Sequence, residues 1–363
     1  MFTYFLYNVI LITAACFAYL AEHGDIRFFR NISRGVVFLT LWLPAALRHN
    51  TGTDYFAYVG IFQENFSMMS NIEPGWRFLN FIVRSLGLSA QWIFVTSAFL
   101  IYFPICFVLK RKDYFYGILF YILLFFYLRS YNTIRQAISV SFIVCAVIYF
   151  QDKKYAKLVI YMILALIFHG STLLLVPFFA VKLIKYKKRI TAVMLTVVGM
   201  VFLYYVDVLT IIFFILKILN SKYYRYASYL AGETFHLHGG TIFTFFAIMV
   251  RSSLLFLAIF LMPSIVKKDK EKLFLINMAI IYNYINIIGL RYIIINRVRE
   301  LFSFVPILIS GSAFSVRGKY RKIIVCLIII LNIGLFEITI YNNNRERIGS
   351  SVYPYYSIFS KDR

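Results

Sequence analysis

Apolar stretches of nearly bilayer-spanning length recur from one end of the 363-residue chain to the other, separated by short clusters of Lys and Arg. A helix needs roughly 20 apolar residues, at about 1.5 Å each, to cross about 30 Å of hydrocarbon. Segments at 2–20, 32–47, 90–109, 114–128, 132–150, 190–208, 241–262, 271–288, 296–314 and 320–340 meet or approach that length. The fold class this dictates is an all-α polytopic integral membrane protein. Composition agrees: 61% of residues are hydrophobic, 15% are charged, and mean hydropathy is +0.78. A soluble domain has roughly 45–50% apolar and 25% charged residues. The longest polar stretches, 48–75, 220–240 and 341–363, each fall short of the roughly 50 residues of a small soluble domain. One membrane-embedded domain is expected, with extracytoplasmic loops at about 48–89 and 209–240.

The net charge of +23, from 38 Lys+Arg against 15 Asp+Glu, would suggest nucleic acid in a soluble protein. Here the basic residues stand between apolar runs, the positive-inside pattern, and no nucleic-acid partner is expected. Arg27/Arg30/Arg34, Lys110-Arg111-Lys112, Lys153/Lys154/Lys157, Lys267/Lys268/Lys270/Lys272 and Arg317/Lys319/Arg321/Lys322 mark the cytoplasmic side. Lys153/Lys154/Lys157 and Lys185/Lys187/Lys188/Arg189 flank one apolar segment, so a single crossing would put one cluster outside. Two crossings would not. The segment 156–184 therefore reads as a short hairpin turning at His169 to Thr172, with arms reaching about 18 Å. Its apex belongs below the outer surface, in a water-filled dip or buried in protein, since lipid cannot satisfy a bare turn. About twelve crossings result, with both termini outside. The first span starts at Phe2 without a basic n-region or an A-x-A site and is read as a retained helix. Cys16, Cys106, Cys145 and Cys326 lie singly within spans without ligand spacing, as small core residues.

Polar groups within these spans need a reason beyond stability, because a charge there costs about 2.5–3.5 kcal/mol on insertion scales. Asn132, Arg135, Gln136 and Ser139 follow i, i+3, i+4, i+7, and so do Asn296, Arg299, Glu300 and Ser303. Arg297 lies one turn from Glu300, and Asn277, Asn283, Asn286 and His169 add further polar groups. One reading is interhelical glue, with Arg297 and Glu300 as a structural ion pair. The other is a binding site, since the stripes, the hairpin apex and the polar loops all fall toward one face. Arginine prevails there (Arg48, Arg129, Arg135, Arg291, Arg297, Arg299), and its planar fork matches phosphate oxygens. An anionic ligand of the diphosphate type fits.

The loops carry the same two-sided signals. Glu73-Pro74-Gly75 reads as a type II turn leading into an interfacial amphipathic segment at 76–86. Thr53 or Asp54 either caps a short helix through Tyr55 and Tyr58 or supplies a catalytic carboxylate. In "SKYYRYASY", Tyr223, Tyr224, Tyr226 and Tyr229 alternate with Lys222 and Arg225, suited to a headgroup belt or to stacking on sugar rings. His236 and His238 alone make a weak metal signal. No cofactor or metal is called for, because the chain has neither a D-x-D pair nor a G-x-x-x-x-G-K-[ST] loop.

In order, "GTDYFAY" (52–58), "EPGWRFLN" (73–80), "NTIRQAISVSF" (132–142), "FHGSTLLLVP" (168–177), "NRVRELFSFVP" (296–306) and "YPYY" (353–356) resemble the motif series of the EpsG family, of the Wzy-type O-antigen and exopolysaccharide polymerases. The resemblance implies a GT-C-like helical fold in the bacterial cytoplasmic (inner) membrane, acting on undecaprenyl-diphosphate-linked oligosaccharides at the outer face, with a chain-length regulator as a partner. It puts Asp54, Glu73, Arg135, His169 and Arg297 at motif positions. The charged "RVRELF" departs from the family pattern, so Arg299 and Glu300 rest on this sequence alone.

The chemistry asks for cationic stabilisation of a departing diphosphate and a base for an acceptor hydroxyl. Arg48, Arg135, Arg297 and Arg299 are the candidates for the first, and Asp54, His169 and Glu300 compete for the second. Glu73, Tyr223 and Tyr226 are candidates for holding glycan. An O-antigen ligase differs only in its acceptor. A glycolipid flippase would also want buried arginines, but transporters usually show internal repeats and a midplane site, and neither is evident here. Membrane acyl transfer would lean on His169, without a partner motif.

Overall fold

The computed structural model describes residues 2–63, 72–207, 210, 242–290, 292–316, 318, 320–343 and 351–360. Among them the regular elements are helices. In chain order they are α1 (Phe2–His23), α2 (Arg27–Leu47), α3 (Tyr55–Gln63), α4 (Pro74–Ser85), α5 (Gln91–Val108), α6 (Tyr114–Leu123), α7 (Phe126–Arg129), α8 (Ile134–Gln151) and α9 (Tyr155–Phe168). A 3-10 arm, Gly170–Leu183, is followed by α10 (Arg189–Tyr205), α11 (Ile242–Phe260), α12 (Met262–Lys268), α13 (Lys272–Ile288), α14 (Ile293–Leu301), α15 (Phe304–Phe314) and α16 (Arg321–Asn342). The chain is an all-α polytopic membrane protein.

Among the described residues five helices are long and apolar enough to cross a membrane unaided: Phe2–His23, Gln91–Val108, Ile134–Gln151, Phe243–Phe260 and Arg321–Asn342. The shorter apolar helices α6, α13 and α15 form the interior and are buried on nearly every side. A helix enclosed by protein need not match the bilayer, because its ends are satisfied by neighbours rather than by headgroups. Around them α1 and α16 turn one face inward and leave Phe5, Ile12, Ile323 and Ile330 to the lipid side. Small residues let the shell pack closely: Ala14, Ala18 and Ala21 line the buried face of α1, which packs on α2 and α6. Cys106 and Cys145 are buried, whereas Cys16 and Cys326 are exposed.

The two ends of the bundle assemble as the charge pattern demands. At the basic end Lys110 pairs with Asp152, and Lys112 with Asp269 at 3.0 Å. Lys153 and Lys182 both reach Glu271, at 3.6 and 3.1 Å. Since Lys153 precedes α9 and Lys182 ends the 3-10 arm, both arms of the hairpin return to one end, as the flanking lysines require. The second arm is 3-10 rather than α-helical and contains Pro177, which has no N–H to give a ladder.

Deeper at that end, Lys272 Nζ meets Asp113 Oδ2 at 3.0 Å, and both side chains are only 3% exposed. Lys272 also donates to the Leu308 carbonyl at 2.8 Å, so this pair ties the start of α6 to α13 and α15. Asp113→Ala strands an ammonium in the core and is expected to cost about 3–5 kcal/mol. Lys110→Ala, whose pair with Asp152 is roughly a third exposed, is expected to change stability by no more than about 1 kcal/mol. Thermal unfolding in detergent checks the contrast.

The opposite end gathers the first turns of α1 and the segment 351–360. Tyr7 donates to the Val352 carbonyl at 2.6 Å, Tyr355 to the Pro44 carbonyl at 2.9 Å, and the His49 N–H to the Tyr356 carbonyl at 2.8 Å. The segment 351–360, with "YPYY", thus straps the loop that follows α2. Gly52 stands there at φ +98° and donates its N–H to the Ser351 carbonyl at 3.0 Å. A Cβ at this position would lie 2.6 Å from Asn132 Oδ1, so both conformation and space require glycine.

Four local expectations are corrected. Glu73-Pro74-Gly75 forms a helix start rather than a type II turn: Glu73 is the N-cap of α4 and Pro74 its first residue, where the missing N–H costs nothing. The expected spans 114–128 and 296–314 are each broken. The first breaks at Phe125, which is left-handed at φ +70°, and the second at Phe302 and Ser303. Both breaks are buried in protein, the setting in which such backbone is tolerated at membrane depth. Finally, Glu300 pairs with Arg129 at 3.3 Å rather than with Arg297. The expected loop 209–240, with Tyr223, Tyr224, Tyr226, Tyr229, His236 and His238, lies almost entirely outside the described residues, and so does Arg291.

Candidate functional site

Glu73 is held where the helix α4 begins, and that beginning is pressed onto the hairpin apex. Gly75 makes the approach possible, since a Cβ there would lie 2.7 Å from Ile167 Cγ2 and 3.1 Å from the Ile167 carbonyl. Trp76 is fully buried beside Tyr58 of α3, ring centroids 5.1 Å apart. Phe78, Phe81 and Leu86 face outward, as an interfacial helix requires. Each residue of E-P-G-W therefore has a separate duty: charge, helix start, close approach and anchor.

The carboxylate so placed receives two partners from distant motifs. Arg135, near the start of α8, donates to Glu73 Oε2. His169, at the junction of α9 and the 3-10 arm, lies with Nδ1 3.1 Å from Glu73 Oε1. All three side chains are between 21% and 30% exposed, so the group opens to one side rather than being sealed in the core. A carboxylate only accepts, so Nδ1 carries the hydrogen and, in the neutral ring, Nε2 keeps its lone pair. Tyr58 lies within electrostatic reach of Arg135 and of Asp54.

Glu73 lies outside the spans, and its carboxyl stands below the ordinary glutamate range. Burial pushes it up, but the His169 hydrogen bond, a backbone hydrogen bond and the charges of Arg135 and His169 together outweigh burial. The ion group therefore stabilises the fold fully above the ordinary glutamate range. That contribution is lost as pH falls through the lower, folded value.

The second cluster sits where the two broken helices meet. Arg129 ends α7, Arg299 lies on α14 and Arg251 on α11, and all three line one small void with Tyr282 and Asn286 of α13. The void is about 10 Å³, room for one water. Against these guanidinium groups stands Glu300, paired to Arg129 and 13% exposed. Arg251 gives one hydrogen bond to Thr339 Oγ1 at 3.1 Å. A second void of about 30 Å³ shares Arg129 and continues past Thr133, Gln136 and Glu300. Gln136, next to Arg135, donates to the Arg297 carbonyl at 2.5 Å, which ties the first cluster's helix to α14.

The remaining candidates fall elsewhere. Arg48 is 3% exposed, donates to the Tyr131 carbonyl at 3.0 Å, and lies over the rings of Phe94 and Tyr131 at 4.9 and 4.7 Å. It braces the loop from beneath. Asp54 precedes α3, accepts from the Thr53 hydroxyl at 3.2 Å and is half-buried. The Arg297 side chain is exposed, whereas Arg299 joins the arginine cluster. Tyr223 and Tyr226 lie outside the described residues. Sequence reasoning passed over Arg251, although a signal was present: it is the charge in the midst of "IFTFFAIMVRSSLLFLAIF", and an intramembrane charge is a functional candidate by default.

Neither the curated proteins nor the solved structures offer a significant match to this chain. The sequence profile of the EpsG family matches residues 31–357, nearly the whole length, and spans each of the segments brought together above. The chain belongs to the EpsG family.

Proposed function

We propose that this protein is a polysaccharide repeat-unit polymerase of the bacterial cytoplasmic membrane. It transfers a growing glycan from undecaprenyl diphosphate to a lipid-linked repeat-unit acceptor on the extracytoplasmic face. One observation carries this reading: Glu73, Arg135 and His169, from three motifs that lie far apart in the chain, converge on one partly open group. Family membership supports the polymerase class, and the clustered arginines Arg129, Arg251 and Arg299 support a diphosphate ligand.

The acceptor hydroxyl oxygen attacks the anomeric carbon of the donor, its proton passes to Nε2 of His169, and the bond from that carbon to the diphosphate oxygen breaks with its electron pair going to the diphosphate. Glu73 orients the imidazole and stabilises it once charged. Glu300 is occupied by Arg129, whereas His169 has the Glu73 carboxylate behind it, so His169 is favoured as the base. Arg129, Arg251 and Arg299 receive the developing charge of the leaving group. Their void is water-sized, so a diphosphate has to widen it to reach the three guanidinium groups. No metal is needed, since the leaving group departs without protonation and the guanidinium groups supply the positive charge.

The test is purified protein in liposomes with the lipid-linked repeat unit as sole glycan. A ladder of lipid-linked chains is expected. Transfer only when a lipid core is added would replace the polymerase reading with that of a ligase. Movement of the unit across the bilayer without chain growth would make it a transporter.

A further inference from the structure

An apolar groove of about 310 Å³ opens between the two arms of the hairpin. Its walls include Val159, Ile163 and Leu166 of α9 and Leu173, Val176 and Phe179 of the 3-10 arm. The spacing explains why the arms do not close on each other. Leu173, Val176 and Phe179 repeat every three residues and stand in one straight row of a 3-10 helix. Val159, Ile163 and Leu166 follow the inclined ridge of an α-helix. A straight row and an inclined ridge do not interdigitate along their length, which leaves the groove between them. A cavity of about 150 Å³ takes a benzene ring, so this groove has room for a short run of branched hydrocarbon.

The groove leads to the first cluster. At its apex end Thr172 gives its N–H to the His169 carbonyl at 3.1 Å, and its hydroxyl meets Ser139 Oγ at 2.5 Å. Ser139 lies one turn along α8 from Arg135. Val159, Ile163, Leu166, Leu173 and Val176 are exposed, so a chain can enter sideways from the membrane.

We infer that this groove holds the polyprenyl chain of the donor, an inference that rests on the function proposed above. The donor's diphosphate is bonded to the carbon under attack, so its first isoprene unit must begin close to the base, and the groove begins three residues from His169. The acceptor's carrier, by contrast, is separated from its reacting hydroxyl by the whole repeat unit. The apex also lies below the outer surface, because the 14-residue α9 reaches only about 21 Å of the roughly 30 Å of hydrocarbon.

The test places a benzophenone amino acid at Val176, or at Ile330 on the lipid face of α16 as a control, in nanodiscs of phosphatidylglycerol with a trace of radiolabelled undecaprenyl diphosphate. Labelling several-fold stronger at position 176 is expected, displaced by unlabelled undecaprenyl diphosphate and not by added phosphatidylglycerol. Equal labelling at both positions, or equal labelling of position 176 by a radiolabelled phospholipid, would overturn the inference. As a second variant, Val176→Trp fills the groove and is expected to raise KM for the lipid-linked unit with kcat and melting temperature kept. An unchanged KM would count against the groove. Specific labelling at 176 by a protein that makes no polymer would leave the groove standing and remove the polymerase reading. Chain growth without specific labelling would do the reverse.

Discussion

His169→Gln and Glu73→Gln are each expected to remain folded and to reduce chain growth by about 10²- to 10⁴-fold, the range that a positioned acid–base group contributes. Glutamine in place of His169 keeps a polar side chain at the apex but offers no nitrogen able to take a proton. Glutamine in place of Glu73 keeps the helix start and the volume but removes the charge that orients the imidazole and holds Arg135. All three groups are at least a fifth exposed, so neither change strands a fully buried charge, and the stability loss should stay near that of a partly solvated pair, about 1 kcal/mol or less. The measurement is chain-length distribution and initial rate in proteoliposomes, beside melting temperature for each variant. If the pair served only to pin α4 to the hairpin, rate and melting temperature would fall together, and restoring stability with lipid would restore the rate. Polymerisation at the wild-type rate in His169→Gln would remove the imidazole from the chemistry.

What the sequence disclosed was what local rules govern. The hairpin was legible because two lysine-rich clusters flanking one apolar segment admit a single topological solution, and Lys153 and Lys182 do meet at Glu271. The polar stripe of α8 was legible because Arg135, Gln136 and Ser139 share one face at helical spacing, and each now holds a partner from another element. The helix breaks were not legible. "YFYGILFYILLFFYLR" carries neither proline nor any glycine near Phe125, so nothing local announces a left-handed residue there. Tertiary packing imposes it. The partner of Glu300 was hidden for a related reason: Arg297 is the neighbour that helical spacing offers, whereas Arg129 arrives from a helix piece that exists only because its span is broken. Arg48 shows the opposite error of emphasis, because an arginine in a polar loop looks available until the rings of Phe94 and Tyr131 close over it.

Arg251→Met is expected to lower the rate of chain growth by about 10²- to 10³-fold, as the loss of one donor to a developing oxyanion does, while leaving the melting temperature unchanged or raising it. The two halves of that expectation have one cause. Arg251 lies within electrostatic reach of Arg129 and Arg299, and those like charges repel. A charge inside a span also costs about 2.5–3.5 kcal/mol to insert, against which Arg251 gains one hydrogen bond to Thr339. Methionine has a similar reach, needs no polar partner and relieves the repulsion, so the free protein should gain stability, as buried charges replaced by apolar side chains often do. Arg48→Met provides the contrast. There both terminal nitrogens donate, to the Ala45 and Tyr131 carbonyls, and the guanidinium lies over two aromatic faces although its buried Nε has no partner, and its loss should lower the melting temperature before it changes the rate. Differential scanning fluorimetry and initial rates on the two variants separate the roles. A melting temperature that falls in Arg251→Met by as much as in Arg48→Met would mean that the arginines around the void are packing rather than a diphosphate site. Inorganic pyrophosphate sharpens the comparison: it is expected to stabilise the wild type by filling the cluster, and to lose most of that effect in Arg251→Met while keeping it in Arg48→Met.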